Sequence, residues 1–172
     1  MEVHEAAASG DSDQIEALMN TSRYDVNLPD LEWDSRTPLH WAAIKGHAES
    51  ARVLLDNGAD ATMATESGWT AAHFAAEIGK VGILRVLHKF KAPMDMPDTS
   101  GDTPRDIAQL YGHQECVAFF DMVEQEAIEK ALQNLAEEKM RKLEQSNSTK
   151  RKKGGKKPNT TKIKKENSVE TV

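Results

Sequence analysis

The sequence predicts an all-α solenoid of about four stacked helix-turn-helix repeats, followed by a helical extension and a disordered tail. The first observation behind this prediction is a period of 33 residues that brings the same residue types back in phase. The second is a change of composition near residue 146, where apolar residues become scarce and lysines frequent. The recurring positions are Thr37, Thr70 and Thr103, then Ala42, Ala75 and Ala108, and then Gly46, Gly79 and Gly112.

Each repeat is predicted to open with a capped helix. Thr37 and Thr103 precede a proline, so the hydroxyl can accept from a backbone N–H while Pro38 or Pro104 occupies the first turn. The recurring alanines are small enough to let two antiparallel helices approach closely. The recurring glycine then ends the helix, because glycine tolerates the left-handed backbone of a helix cap.

A second helix is predicted after each of these glycines. In the second repeat it reads HAESARVLLDNG, with Gly58 at its end. The apolar residues of this segment recur at helical spacing and predict one buried stripe. That stripe consists of Ala51, Val53, Leu54 and Leu55.

The joint between the third and fourth repeats departs from the pattern. Lys91 stands where Gly58 stands one repeat earlier, and Pro93 follows it. If this position requires a positive φ, a lysine there costs on the order of 1 kcal/mol. We therefore expect this joint to be the weakest of the array.

The two ends of the repeat array differ from its middle. The first copy reads VHEAAASGD, and its Gly10 lies 36 residues before Gly46, so the following loop carries three residues more than the period of 33. The fourth copy has Arg105 and Asp106 in place of the leucine and histidine of the motif. Polar substitutions are expected in terminal repeats, since no further neighbour covers them.

The strings TPLHWAAIKGH, TAAHFAAEIGK and TPRDIAQLYGH, in phase at 33 residues, resemble the ankyrin-repeat family. The resemblance covers residues 1–123 and implies a helical module that binds another protein. The implied repeat boundaries are about 1–33, 34–66, 67–99 and 100–123.

Proteins that resemble this chain usually bind partners on a concave face, which is formed by the loop tips and the first helices. Carrying the variable positions of that face onto this sequence gives a candidate partner-binding set. The set is Trp33, Asp34, Arg36, Ile44, Lys45, Glu66, Ser67, Trp69, Glu77, Ile78, Thr99, Ser100, Asp102, Leu110 and Tyr111.

Two tryptophans, Trp33 and Trp69, belong to this set, whereas Trp41 and Phe74 follow the motif histidine and are expected to face the core. Tryptophan, tyrosine and arginine dominate the energies of many protein interfaces. Partner binding is therefore favoured for Trp33 and Trp69. Packing against neighbouring loops, which would stabilise the stack, stays open as the alternative.

The six histidines do not predict a metal site. His4, His40 and His73 occupy equivalent repeat positions, so stacking should separate them by about one repeat. Zinc needs several ligands at roughly 2 Å from one ion. We interpret these three, together with His47 and His113 of the Gly-His pairs, as structural residues.

The composition narrows the function classes. The single cysteine, Cys116, excludes an internal disulfide and fits a reducing compartment, and its place on a second helix predicts a small core residue. The N-terminal residues do not resemble a secretory signal, and no apolar run approaches the roughly 18 residues of a membrane span. No phosphate-binding loop, nucleophile elbow or carboxylate pair is visible. The sequence therefore predicts neither an enzyme nor a cofactor nor a small-molecule substrate.

Residues 124–145 are predicted to continue the last helix as a charged extension, since no glycine or proline interrupts them. The favourable i,i+4 pairs are Glu126–Lys130, Glu137–Arg141 and Glu138–Lys142. A partial apolar stripe consists of Ile128, Leu132, Leu135 and Leu143. Because Glu138 and Lys142 interrupt the heptad pattern of a coiled coil, a capping helix on a monomer is favoured, with dimerisation as the alternative.

Residues 146–172 are predicted to form a basic disordered tail. They hold nine Lys/Arg and two Glu, a balance of +7, whereas the other 145 residues hold 13 and 26, a balance of −13. Such a segment cannot bury enough apolar surface to offset its ordering entropy. Its basic run resembles a nuclear localisation signal, formed by Lys150, Arg151, Lys152, Lys153, Lys156 and Lys157.

The favoured function is a non-catalytic adaptor, cytoplasmic, nuclear or both, that binds a protein partner on its concave face. The alternative is a nuclear or nucleic-acid-associated factor that is attached through its basic tail. Such an attachment would be non-specific, because the tail has phosphate-binding charges and no aromatic residues for stacking.

Overall fold

A computed structural model describes residues 2–153 and the side chains of residues 2–148. This part of the chain contains eight α-helices, and its strand-type pairing is limited to an isolated antiparallel bridge between Asp30 and Arg36. The predicted all-α fold is confirmed. The helices are α1 (Glu2–Ser9), α2 (Ser12–Asn20), α3 (Pro38–Lys45), α4 (Ala48–Asp56), α5 (Ala71–Glu77), α6 (Val81–Lys89), α7 (Pro104–Leu110) and α8 (Gln114–Lys153).

Helices α1 to α7 and the start of α8 form four consecutive helix pairs. They lie within one compact unit that ends at Ala127. The first helices contact each other in sequence, α1 with α3, α3 with α5 and α5 with α7, and so do the second helices α2, α4 and α6. This is the neighbour-to-neighbour packing of a solenoid, in which each repeat covers the apolar face of the next. All four residues of the predicted stripe on α4 are buried.

The helices that open the second and fourth repeats begin as predicted. Thr37 and Thr103 cap α3 and α7, and Pro38 and Pro104 occupy the first turn. The Thr37 hydroxyl accepts a hydrogen bond from the His40 backbone N–H. The proline costs no hydrogen bond there, since the first N–H groups of a helix have no partner within it.

Gly79 shows why a glycine recurs after the first helix. Its φ is +70°, in the left-handed region, and a Cβ built on it would lie 2.5 Å from Nδ1 of His113. The His113 Nε2–H donates to the Glu77 carbonyl at 2.8 Å. His47 packs on Gly10 in the same way. These two histidines therefore join a second helix to the repeat before it, which is a structural role.

Lys91 has a positive φ of +62°, so the condition stated for this position in the sequence analysis is met, and Gly58 itself has a φ of +90°. The backbone bonds around the two positions also match. Ala59 N–H donates to the Leu54 carbonyl at 3.0 Å, and the next repeat has the same bond at the same distance after Lys91. The lysine therefore holds a glycine conformation, which strains the joint before the fourth repeat.

A second unit begins within α8, at Ile128. The helix runs to Lys153, past the predicted end at Gln145. The reason lies in the sequence, because the first glycines after Gln145 are Gly154 and Gly155. The prediction of disorder from residue 146 is therefore wrong for residues 146–153, which are helical. The rest of the predicted tail lies outside the described residues, and the side chains of the predicted localisation signal are likewise not described.

The large apolar residues of this second unit whose side chains the structure describes are exposed. Two of the three predicted i,i+4 ion pairs lie in it and are formed, at 3.9 Å between Glu137 and Arg141 and at 2.6 Å between Glu138 and Lys142. Exposed pairs of this kind contribute little to stability. The exposed apolar residues are Ile128, Leu132, Leu135, Met140 and Leu143.

Candidate functional site

A loop links each helix pair to the next, and we call the part of each loop that precedes the following helix a finger. At the tips of the second and third fingers, Gly68 and Gly101 have φ values of +80° and +91°. In the first finger Ser35 stands in that place with a φ of +56°, and Asp34 before it has the same value. Side chains in this region cost about 1 kcal/mol or more each. The first, second and third fingers are residues 28–36, 61–69 and 94–102.

The strained turn of the first finger is held by its own backbone. Asp30 N–H donates to the Arg36 carbonyl at 2.7 Å, and Arg36 N–H donates to the Trp33 carbonyl at 3.1 Å. Trp33 N–H in turn donates to the Asp30 carbonyl at 3.1 Å. These bonds fix the direction of the residues between them.

The fingers are also bonded to one another. Glu66 N–H donates to the Asp34 carbonyl at 3.3 Å, and the Ser67 hydroxyl donates to the Asp34 carboxylate at 3.0 Å. Thr99 N–H and the Thr99 hydroxyl donate to the Ser67 carbonyl at 3.2 and 3.0 Å. The three tips therefore form one continuous edge of the repeat array.

His40 is buried at the base of this edge, in a single tautomer. Its Nδ1 accepts from the Thr37 N–H at 3.0 Å, so its Nε2 carries the proton and donates to the Met63 carbonyl at 3.0 Å. Burial lowers the pKa of His40 to about 4, which keeps the ring neutral near pH 7. His40 thus connects the start of α3 to the second finger.

His73 repeats this arrangement one repeat later. Its Nδ1 accepts from the Thr70 N–H at 3.1 Å, and its Nε2–H donates to the Asp102 carbonyl of the third finger at 3.1 Å. In the fourth repeat Asp106 accepts from the Thr103 N–H at 2.9 Å. The Asp106 carboxylate accepts this bond as the histidine nitrogen does, but it has no N–H to donate. The second helix of this repeat, α8, continues where the earlier repeats have a finger that would accept such a bond.

Trp69 is packed between the second and third fingers. Its indole Nε1–H donates to the Asp98 carboxylate at 3.0 Å. Its ring stacks on His73, with ring centroids 5.8 Å apart, and meets Phe74 edge to face at 5.0 Å. The indole is only partly exposed, and these contacts correspond to the packing alternative for this residue.

Trp33 differs, because 57% of its surface is exposed. Its ring and that of Trp41 meet edge to face, with centroids 6.0 Å apart. The Arg36 guanidinium lies 5.2 Å from the centre of the Trp41 ring and 5.3 Å from that of Phe74. Trp33 therefore rests on this cluster on one side and faces solvent on the other.

The structure leaves all of the candidate partner-binding residues at least partly accessible. The partly exposed ones are Asp34, Arg36, Ile44, Trp69, Glu77 and Ile78. The exposed ones are Trp33, Lys45, Glu66, Ser67, Thr99, Ser100, Asp102, Leu110 and Tyr111. Since α3, α5 and α7 are neighbours, their C-terminal ends lie side by side, and fingers and helix ends together form the candidate surface.

Two features of the first unit were missed by sequence reasoning. Leu31, next to Trp33 on the first finger, is 78% exposed, and the signal was an apolar residue in a loop that is three residues longer than its successors. The other is a cleft of about 470 Å³ whose lining includes Lys91, Arg105, Phe120 and Val123. Its signal was the departure of Lys91 and Arg105 from the repeat pattern.

The described part of the chain shows little that could perform chemistry. No group of three His, Cys, Asp or Glu side chains in it is arranged to hold a metal ion. Cys116 is buried, and this burial raises the pKa of its thiol, which disfavours the nucleophilic thiolate. None of the described helices is both long and apolar enough to cross a membrane.

A family model described as ankyrin repeats, in three copies, matches residues 3–87 and 57–130. The matched region contains all three fingers and every candidate partner-binding residue.

Curated proteins are similar in sequence to part of this chain. A tyrosine-protein kinase, HTK16 of Hydra vulgaris, is 30% identical over 121 residues, which is 69% of this chain and 16% of the kinase. Protein phosphatase 1 regulatory subunit 27 of Homo sapiens is 32% identical over 98 residues, 57% of this chain and 62% of that protein. The E3 ubiquitin-protein ligase Ufd4 of Drosophila melanogaster is 34% identical over 113 residues, 64% of this chain and 4% of the ligase. The matched part thus spans less than two thirds of each relative.

Proposed function

Because this chain belongs to the ankyrin-repeat family, we propose that it is a non-catalytic adaptor that binds another protein on the concave surface formed by its fingers and first helices. The observation that carries the proposal is the contrast within the first unit. The polar groups of His40, His73 and Trp69 are bonded within the repeat array. Trp33, Leu110 and Tyr111, by contrast, are exposed. Exposed aromatic residues of this kind often anchor interfaces.

The relatives support a binding role. One of them is named as a regulatory subunit of a phosphatase, and the likeness extends over more than half of its length. The kinase and the ligase match over only 16% and 4% of their own lengths, so the likeness leaves most of each enzyme unmatched. A shared repeat scaffold does not identify the partner, since unrelated targets bind to the same fold.

The test is capture of a partner by the full chain and by the double variant Leu110→Ser, Tyr111→Ser. Both residues are exposed, so the variant should keep the circular dichroism spectrum of the wild type. It should lose its partner, which quantitative mass spectrometry would measure. Leu132→Ser, an exposed leucine outside the repeats, is the matched control and should retain the partner. Equal capture by all three proteins would contradict the proposal.

A second candidate function follows from the basic composition of residues 146–172, which hold nine Lys/Arg. In this alternative the tail directs the protein to the nucleus or to nucleic acid, and the repeats are secondary. Replacing the six residues Lys150, Arg151, Lys152, Lys153, Lys156 and Lys157 by Gln in the full chain separates the two functions. An adaptor keeps its protein partner after this change, whereas a tail-attached factor loses its nuclear location and its target.

A further inference from the structure

The first finger differs from the other two at its tip. Leu31 and Trp33 are 78% and 57% exposed. The residues in the place of Trp33 on the second and third fingers are Glu66 and Thr99, and the large apolar residues of those two fingers are at least partly buried. Exposed apolar residues that are grouped and surrounded by polar ones mark interaction surfaces.

This tip is also held in one conformation. Asp34 and Ser35 both have a φ of +56°, and the backbone bonds across the finger and the bonds from the second finger to Asp34 retain that strain. The Trp33 ring is also in an edge-to-face contact with Trp41. A surface that is ordered before binding loses less conformational entropy on binding. The backbone of the first finger and the exposed indole are therefore prearranged.

The charge of the three fingers is predominantly negative. The three fingers carry seven carboxylates and the single guanidinium of Arg36, which lies over the rings of Trp41 and Phe74. The acidic residues of the fingers are Asp30, Glu32, Asp34, Glu66, Asp95, Asp98 and Asp102. Such a surface attracts cationic partners and repels acidic ones.

We propose that the first finger binds a protein segment in which lysine or arginine residues flank one apolar side chain. The apolar side chain contacts Leu31 and Trp33, while the flanking cations meet the neighbouring carboxylates and the face of the Trp33 indole. The proposed segment is a class of partner for the concave surface described under the proposed function. This inference rests on that proposed function.

The test is a titration of the ¹⁵N-labelled full chain with three synthetic peptides of equal length. One places lysines around a leucine, the second places glutamates around a leucine, and the third places lysines around a glycine. The lysine–leucine peptide should shift the amide signals of residues 30–36 and saturate, and added salt should weaken it. The other two peptides should bind at least roughly tenfold more weakly.

Variants of the full chain locate the site. The double variant Leu31→Ser, Trp33→Ser should weaken binding of the lysine–leucine peptide at least tenfold, while Leu132→Ser binds it like the wild type. Glu32→Lys, which keeps both apolar residues and reverses one charge, should weaken the same peptide.

Three results would overturn the proposal: equal binding of the glutamate–leucine peptide, equal binding of the lysine–glycine peptide, or unchanged affinity in the double variant. The double variant Leu110→Ser, Tyr111→Ser tests the proposed adaptor function separately from the proposed partner class. If that variant loses a natural partner while the peptides do not bind the first finger, the adaptor function stands and only the partner class is wrong.

Discussion

Trp33 and Trp69 lie on adjacent fingers of the same repeat array and have opposite surroundings. Trp69 donates its indole N–H to Asp98, stacks on His73 and packs against Phe74. Trp33 makes one ring contact, with Trp41, and is 57% exposed. The same residue type thus contributes to the stability of one joint and to the accessible surface of the next. Burial and hydrogen-bond partners separate these roles, and residue type alone does not.

The largest expected effect separates the two tryptophans by stability. Trp69→Ala should lower the free energy of unfolding by roughly 2–4 kcal/mol, because it removes a packed ring and leaves the Asp98 carboxylate without its indole donor. Trp33→Ala should lower it by less than about 0.5 kcal/mol, since the side chain is largely exposed. Urea denaturation of the full chain measures both. A loss of similar size in the two variants would remove the distinction.

The histidines that support the fingers make stability depend on pH. Burial lowers the pKa of His40 from 6.5 to about 4 and also lowers the pKa of His4 and His73. The unfolded chain therefore binds more protons than the folded chain between pH 6.5 and 4. The free energy of unfolding should fall as the pH drops through this window, and His40 alone should contribute up to about 3 kcal/mol.

Urea midpoints measured between pH 7 and 4 test this dependence. The variant His40→Gln cannot take up that proton, so it should be less stable at pH 7 and lose less stability on acidification. A variant whose unfolding free energy falls with pH as steeply as that of the wild type would show that His40 is not responsible.

The repeat pattern predicted the fold because its signals are local. Thr37 before Pro38 starts a helix, and a glycine ends one, through bonds that span only a few residues. The positive φ of Lys91 could be predicted because Gly58 occupies the same place one repeat earlier. The helix past Gln145 was not predicted, since polar residues without glycine or proline only weakly oppose a helix that is already formed.

The candidate surface was less predictable, because it depends on contacts between residues far apart in the chain. The partner of the Trp69 indole, Asp98, lies one finger away, and no spacing in the sequence pairs the two side chains. The exposure of Leu31 depends in the same way on how the first finger turns. The position of these residues within the repeat predicts that they lie on the fingers. Which of them face solvent depends on packing and could not be predicted from the sequence.

A smaller effect is expected at the joint that separates the third and fourth repeats. Lys91→Gly should raise the free energy of unfolding by about 0.5–1 kcal/mol, because glycine adopts the positive φ of this position without strain. Gly58→Lys is the matched reverse change. Because no neighbouring atom lies within 4 Å of a Cβ built on Gly58, the new side chain meets no clash, and the positive φ alone should lower stability by a similar amount. Thermal denaturation of both variants checks the pair. Opposite signs from those expected would show that φ is not the cause of the weak joint.

The most direct test of the difference between the two fingers is hydrogen exchange of the tryptophan indole N–H groups in the ¹⁵N-labelled full chain. Assignments come from Trp33→Phe and Trp69→Phe. The Trp69 indole proton, bonded to Asp98, should exchange at least roughly tenfold more slowly than that of Trp33. Addition of the lysine–leucine peptide should shift the Trp33 signal and leave the Trp69 signal in place. Equal exchange of the two indoles, or a peptide-induced shift confined to Trp69, would contradict the assignment of Trp33 to binding and Trp69 to packing.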